Sequence, residues 1–269
     1  WHGTTRLDQG RPLNGSVVVL EIETGEVLAS VSVPSRSAAM EMTAVEREIR
    51  QPWADRALEA VYPPGSIIKP LVLAAASVEG ECGAGTTIEC NGHHFPGQPG
   101  IARCWIYRPR NNHAVHGPLQ PAEALARSCN CYFYELGDRL GLDRIVDWYE
   151  YFGLGRRLEP GLAPLGSVAE GVSGRGHLPN AQQRDALRRR GEDRFESVML
   201  SIGQGGVSWT VLQAANAYAI LARGGRRLPP TFIRGLRTSP PGPDVRFDDS
   251  IVDAILEGLN DAVTESWGT

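Results

Sequence analysis

Polar and apolar residues are not mixed evenly along this chain, and the changes in pattern mark out its elements. Residues 15 to 33, GSVVVLEIETGEVLASVSV, are two β-branched runs on either side of Glu23-Thr24-Gly25, where glycine supplies the positive φ of a tight turn. That pattern predicts a hairpin. Residues 34 to 62 show no clean period and read as a connecting segment. From Ser66 to about Val78 the chain becomes almost wholly apolar, which predicts a buried helix ended by Gly80. Residues 80 to 120 are rich in Gly, Pro, His and Cys and poor in periodic apolar positions. Such a stretch needs a function or a staple to be ordered.

Helical patterning returns at Pro121, a good first-turn residue, and runs to Arg127. Further helices are expected at about Tyr132 to Leu140 and Asp143 to Phe152, the latter ended by Gly153. Residues 155 to 195 read as irregular, and FESVMLSIGQG (195 to 205) reads as a short buried segment breaking into a glycine turn. Residues 210 to 223 predict a strong helix before Gly224-Gly225. A proline-rich link (228 to 243) precedes a last helix from about Ser250 to Thr264. Strands first, helices after, and no strand–helix alternation predict an α+β fold without a doubly wound parallel sheet.

The formal net charge of -4 is spread without long blocks, which argues against a nucleic-acid binder. Arg188-Arg189-Arg190 sits among Asp185, Glu192 and Asp193 and reads as a solvated mixed-charge loop. No apolar run approaches the ~20 residues of a spanning helix. A chain of 269 residues opening at Trp1 without a Met is expected to be part of something longer, from which an anchor could have been cut away.

Candidate chemistry begins with PPGSIIKP. Residues three apart on a helix share a face, so Ser66 and Lys69 can meet. A helix starting at Ser66 would also place its hydroxyl at the positive end of the helix dipole. Serine is a weak nucleophile without a base, and lysine can be one only if its pKa is lowered, as desolvation beside an apolar run would do. As base, the Lys69 amine is expected within hydrogen-bond reach of the hydroxyls of both Ser66 and Ser128. Alone, S-x-x-K is better read as an N-cap serine followed by a surface lysine, because the pattern is short and both residues are common. Ser128-Cys129-Asn130, some sixty residues on, changes the balance, because S-x-x-K with S-x-N belongs to the signature of serine β-lactamases and penicillin-binding proteins.

The resemblance then becomes specific. GSVVVLEIETGEVLASVS, the PPGSIIKP box, the HG before PLQPAEALARSCNCYFYELGDRLGLDRI, the YFGLG turn and SIGQG followed by LQAANAYAILARGG resemble the transpeptidase domain of class B penicillin-binding proteins, most closely the elongation-specific type. The resemblance implies a serine β-lactamase/D,D-transpeptidase-like α+β fold: an antiparallel sheet flanked by helices, with a helical subdomain carrying the S-x-N loop. It implies a peptidoglycan D,D-transpeptidase that cross-links stem peptides through a serine acyl-enzyme and is trapped by β-lactams. Ser66 would be the nucleophile, Lys69 its base, Ser128 the proton shuttle to the departing D-alanine, and Asn130 the holder of the donor's amide. SIGQG would pack beneath the site. The implied full-length protein has a single N-terminal anchor, a pedestal domain, a place on the periplasmic face of the inner membrane, and a SEDS-family glycan polymerase of the elongation complex as partner.

One departure stands out. The family's third motif, K-[ST]-G, belongs a dozen or so residues beyond SWGT, past Thr269, so residues 1–269 are expected to be a transpeptidase domain truncated ahead of that strand. With one oxyanion donor missing, this polypeptide is expected to be weak or inactive. A class D-like β-lactamase or β-lactam sensor, and a non-catalytic cell-wall scaffold, are the alternative functions.

All five cysteines fall between positions 82 and 131. Cys90, Cys104, His116 and Cys129 form a full tetrahedral donor set for structural zinc, which would order the apolar-poor segment. Some elongation-type homologues resemble this with a zinc held by two aspartates, a histidine and the cysteine inside S-x-N; Cys90 and Cys104 fall where those aspartates would be. The alternatives are a Cys90–Cys104 disulfide, or His93, His94 or His113 in place of His116. Cys82 and Cys131 read as small buried hydrophobes.

Overall fold

A computed structural model describes residues 14–158, 174–235 and 243–269. The hairpin forms as expected: β1 (Gly15–Leu20) and β2 (Val27–Val33) pair antiparallel with Val17 opposite Val31. Its turn is tied to the distant chain by Thr231, whose carbonyl accepts from the Val27 amide and whose amide donates to Gly25. The connecting segment holds an unexpected helix, α1 (Ala44–Arg50), which opens with a capping box between Thr43 and Glu46 and buries none of its residues.

At the centre runs α2 (Lys69–Val78), buried without interruption from Lys69 to Ala76. A helix apolar all round belongs in a core, and α2 is surrounded by helices from the rest of the chain. In the glycine- and cysteine-rich segment, two short strands pair antiparallel, β3 (Ile88–Cys90) with β4 (Gly117–Leu119). Next come α3 (Pro121–Ala126) and α4 (Asn130–Tyr151). The two helices expected across 132–152 are one element bent at Gly141, whose φ of 73° and ψ of 168° are not helical.

The stretch after 155 is only partly irregular. Residues 159–173 lie outside the described residues, but α5 (Ala181–Arg190) and α6 (Asp193–Leu200) are helical. The expected buried segment at 195–205 is therefore a helix to Leu200, followed by the glycine turn. Gly137 lets α6 approach α4: a Cβ there would lie 2.7 Å from the Ser197 carbonyl oxygen. The last helices, α7 (Val211–Ala222) and α8 (Asp249–Thr264), start where Thr210 and Asp248 cap them. Residues 236–242 of the proline-rich link are not described.

The core joins α2 to Tyr132, Phe133, Leu136, Ile145 and Tyr149 of α4, Val198 and Leu200 of α6, Ile220 of α7, and Ile251 and Ile255 of α8. At ~25 cal/mol per Å² of apolar surface, each such side chain contributes about 1.5–3 kcal/mol. The architecture is α+β, an antiparallel hairpin beside a helical body, with Ser128 in the short link between α3 and α4. No helix among the described residues is long and apolar enough to cross a membrane.

Candidate active site

Two prolines and a glycine bring the chain to Ser66. Just before them, Tyr62 exchanges both backbone hydrogen bonds with Trp209. Gly65 then takes a φ of +60°, and residues Gly65–Ile68 form a 3₁₀ turn that runs straight into α2. The α-helix begins at Lys69, three residues later than expected, so Ser66 stands ahead of the helix on the tighter turn. With three residues per turn, side chains at i and i+3 eclipse, which keeps Ser66 and Lys69 on one face. Behind the turn sits the SIGQG glycine. The Gly65 amide donates to the Gly203 carbonyl at 3.0 Å, and Gly203, at φ +71°, comes so close that a Cβ would lie 2.3 Å from the Gly65 oxygen.

Lys69 is 1% exposed. Its Nζ donates to the Ser128 carbonyl at 2.8 Å, to Ser128 Oγ at 3.0 Å and to Asn130 Oδ1 at 2.9 Å, and lies 5.2 Å from the centre of the Phe133 ring. The expected reach to Ser128 is therefore present. A bond from Lys69 to Ser66 is not found among the described residues. Burial pushes the Lys69 ammonium down to about 8, partly offset by the neighbouring Cys129, Cys104 and Cys131 sulfurs.

Ser128 occupies the left-handed region at φ +46°. The link is held there by its own amide, which donates to Leu125, and by the Cys129 amide, which donates to Ala124. Asn130 opens α4. While its Oδ1 accepts from Lys69, its Nδ2 donates to the Arg103 carbonyl at 3.3 Å, an oxygen that Tyr134 also reaches. The Asn130 amide also lies within interaction range of the Tyr134 hydroxyl.

Cys104, next to Arg103, belongs to the thiol cluster. The donor atoms of Cys90, Cys104, His116 and Cys129 all lie within 4.8 Å of one another. His116 Nδ1 is 3.7 Å from Cys90 Sγ and 3.5 Å from Cys104 Sγ, and Cys104 Sγ is 3.9 Å from Cys129 Sγ. A tetrahedral zinc with ~2.3 Å sulfur and ~2.05 Å nitrogen bonds has edges of about 3.8 Å (S···S) and about 3.6 Å (S···N). The donor set and its spacing fit that ion. Burial opposes the His116 imidazolium, but Cys104 and Cys90 outweigh it and raise its pKa to about 9.

The disulfide alternative does not form, as all five cysteines are free. Nor do the alternative histidines join: His94 bonds Asp138 at 3.1 Å, and His93 and His113 lie tilted against the Tyr107 ring, 5.6 and 4.9 Å between ring centres. Cys82 and Cys131 are buried as expected; Cys131 lies near enough to the cluster to act electrostatically on Cys90 and Cys104. SIGQG packs beneath the site as expected, through the Gly65–Gly203 contact. Sequence reasoning missed the Arg103 carbonyl, for which no signal was present.

Comparison with known proteins gives a consistent result. Residues 15–269 match the family model described as the penicillin binding protein transpeptidase domain. The peptidoglycan D,D-transpeptidase MrdA of Acinetobacter baumannii is 32% identical over 236 residues, covering 84% of this chain and 33% of the relative. A crystal structure of Pseudomonas aeruginosa PBP2 in complex with WCK 5153 aligns with a TM-score of 0.76 at 27% identity, over 95% of this chain and 58% of that one. A structure of a peptidoglycan synthase complex, solved for its coordination of polymerization and crosslinking, aligns with a TM-score of 0.71 at 27% identity, over 97% of this chain and 44% of that one. The chain thus spans about a third of the length of the MrdA relative.

Proposed function

The chain belongs to the penicillin-binding protein transpeptidase family, and from that premise we propose that it is the catalytic domain of a peptidoglycan D,D-transpeptidase working through an acyl-enzyme on Ser66. The observation that carries this is the Lys69 amine, buried between Ser128 and Asn130 at the i+3 position from Ser66 on the 3₁₀ turn, a spacing that puts the two on one face. An ammonium has three hydrogens for its three acceptors there. A neutral amine has two, and the carbonyl oxygens of Ser128 and Asn130 can hold both. Its lone pair then serves a hydroxyl.

In the reaction, Ser66 Oγ attacks the carbonyl of the penultimate D-alanine as Lys69 takes its proton. The C–N bond to the terminal D-alanine breaks, and Ser128 passes a proton to the departing amine. An amine on a neighbouring strand then attacks the ester, loses a proton and regenerates Ser66. Asn130 holds the amide of the donor peptide. A β-lactam enters the first half of this sequence, and its opened ring remains on the serine. The full-length protein is expected on the periplasmic face of the inner membrane beside a glycan polymerase of the elongation complex. The test is intact-mass spectrometry of the full-length protein after penicillin treatment, with the adduct mapped by peptide. One persistent adduct on the peptide holding Ser66 is expected. Rapid release would favour a β-lactamase, and no adduct would leave a non-catalytic scaffold.

The same proposal includes a structural zinc held by Cys90, Cys104, His116 and Cys129, the imidazole through Nδ1. Bound there, it supplies no reaction chemistry; it fixes backbone. Cys129 lies between Ser128 and Asn130, and Cys104 follows the carbonyl that orients Asn130, so ligation braces the S-x-N link from two sides. Elemental analysis of the full-length protein should find one zinc per chain. Cys129→Ser should lose it on dialysis and melt several degrees lower, since the ligands contribute folding free energy. A protein purified without metal and melting at the same temperature with and without added zinc would refute the site.

A further inference from the structure

Tyr218 reaches from α7 to the nucleophile turn, where its hydroxyl donates to the Ile67 carbonyl at 2.6 Å. That carbonyl belongs to the residue directly after Ser66. It has no obvious helical partner. Three residues on, the donor of a 3₁₀ bond would be Pro70, which has no N–H. Ile68 is the N-cap of α2, and the N-cap carbonyl accepts the first α-type bond, so Ile67 lies outside the α ladder. The chain changes helix type at this point, and the carbonyl left over by the change is met by a side chain 151 positions away in sequence.

We infer that Tyr218 is a positioning residue for acylation: its hydroxyl holds the 3₁₀ turn so that Ser66 stays eclipsed with Lys69. The inference rests on the acyl-enzyme reading above. Two further contacts from the same part of the chain support it, the Gly65 amide to Gly203 and the Tyr62–Trp209 pair. Without Tyr218, the Ile67 carbonyl would lose its partner, and Ile67, whose side chain is half exposed, gives little packing to replace the lost bond; of the turn's side chains only Ile68 is buried. Burial pushes the phenol up to about 12, so it remains a donor throughout the range in which Lys69 titrates.

The test is Tyr218→Phe in the full-length protein, which keeps the ring and removes the bond. Time courses with a fluorescent penicillin over a range of concentrations separate the acylation rate constant from the affinity of the preceding complex. The acylation constant should fall about 5- to 20-fold, the worth of one hydrogen bond around a reacting group. Affinity and the pH midpoint should match wild type. Rates are read per folded molecule, with the folded fraction taken from a melting curve, so lost stability is not counted as lost chemistry. An acylation constant within twofold of wild type, or a loss that disappears on that correction, would overturn the inference. Failure of the wild-type protein to label at Ser66 would instead reject the acyl-enzyme reading.

Discussion

Lys69→Arg should slow acylation of Ser66 by about 10²–10⁴-fold, the usual contribution of a general base, although the positive charge is kept. The guanidinium cannot lose a proton in a protein, whereas burial has pushed the Lys69 ammonium down to about 8. The sign follows from which form reacts. The neutral amine is the competent one, so wild-type acylation should climb with pH through about 8 and level off above it. At pH 7 roughly a tenth of the molecules would carry the free amine, and each further unit down should cost about tenfold. Burst labelling with a fluorescent penicillin between pH 6 and 9.5 measures both effects. An arginine variant within tenfold of wild type, or a flat wild-type profile, would end the base role.

A comparable loss is expected from a residue that touches no substrate. In Gly203→Ala the new methyl would stand 2.3 Å from the Gly65 oxygen and 2.5 Å from its nitrogen, and those are the backbone atoms that lead into Ser66. The left-handed φ costs about 1–2 kcal/mol for any L-residue, and the overlap adds about 1–3 kcal/mol or displaces the turn. A shift of ~1 Å in a reacting group can cost 10²-fold, and we expect acylation per folded molecule to fall by about that much. Gly80→Ala supplies the comparison: its φ is +73°, but nothing lies within 4 Å of the added Cβ. It should lose stability and keep its acylation rate. Equal acylation in the two variants would mean that Gly203 does not support the turn.

What the residues disclosed, and what they withheld, divides along a physical line. Ser66, Lys69, Ser128, Asn130 and the four zinc candidates could be picked out because their chemistry lies in side-chain type. The fold brings Lys69, Ser128 and Asn130 within hydrogen-bond distance and gathers the three thiols and His116. The Arg103 and Ile67 carbonyls were invisible, since every residue has a carbonyl and only tertiary placement selects one. Helices α1 and α5 went unread for another reason. Neither buries a residue, so neither has an apolar period to find. Their start signals were nonetheless present as capping boxes, Thr43 with Glu46 and Asn180 with Gln183.

The left-handed backbone at Ser128 has a consequence for how this position can vary. Glycine alone would occupy a φ of +46° without strain, and glycine has no hydroxyl to give to Lys69. Folding and chemistry therefore ask for different residues at one site. The chain keeps serine and accepts a local deficit of about 1–2 kcal/mol, which the rest of the domain must offset. Random drift toward greater stability would tend to erase the hydroxyl, and only selection for activity would hold it in place.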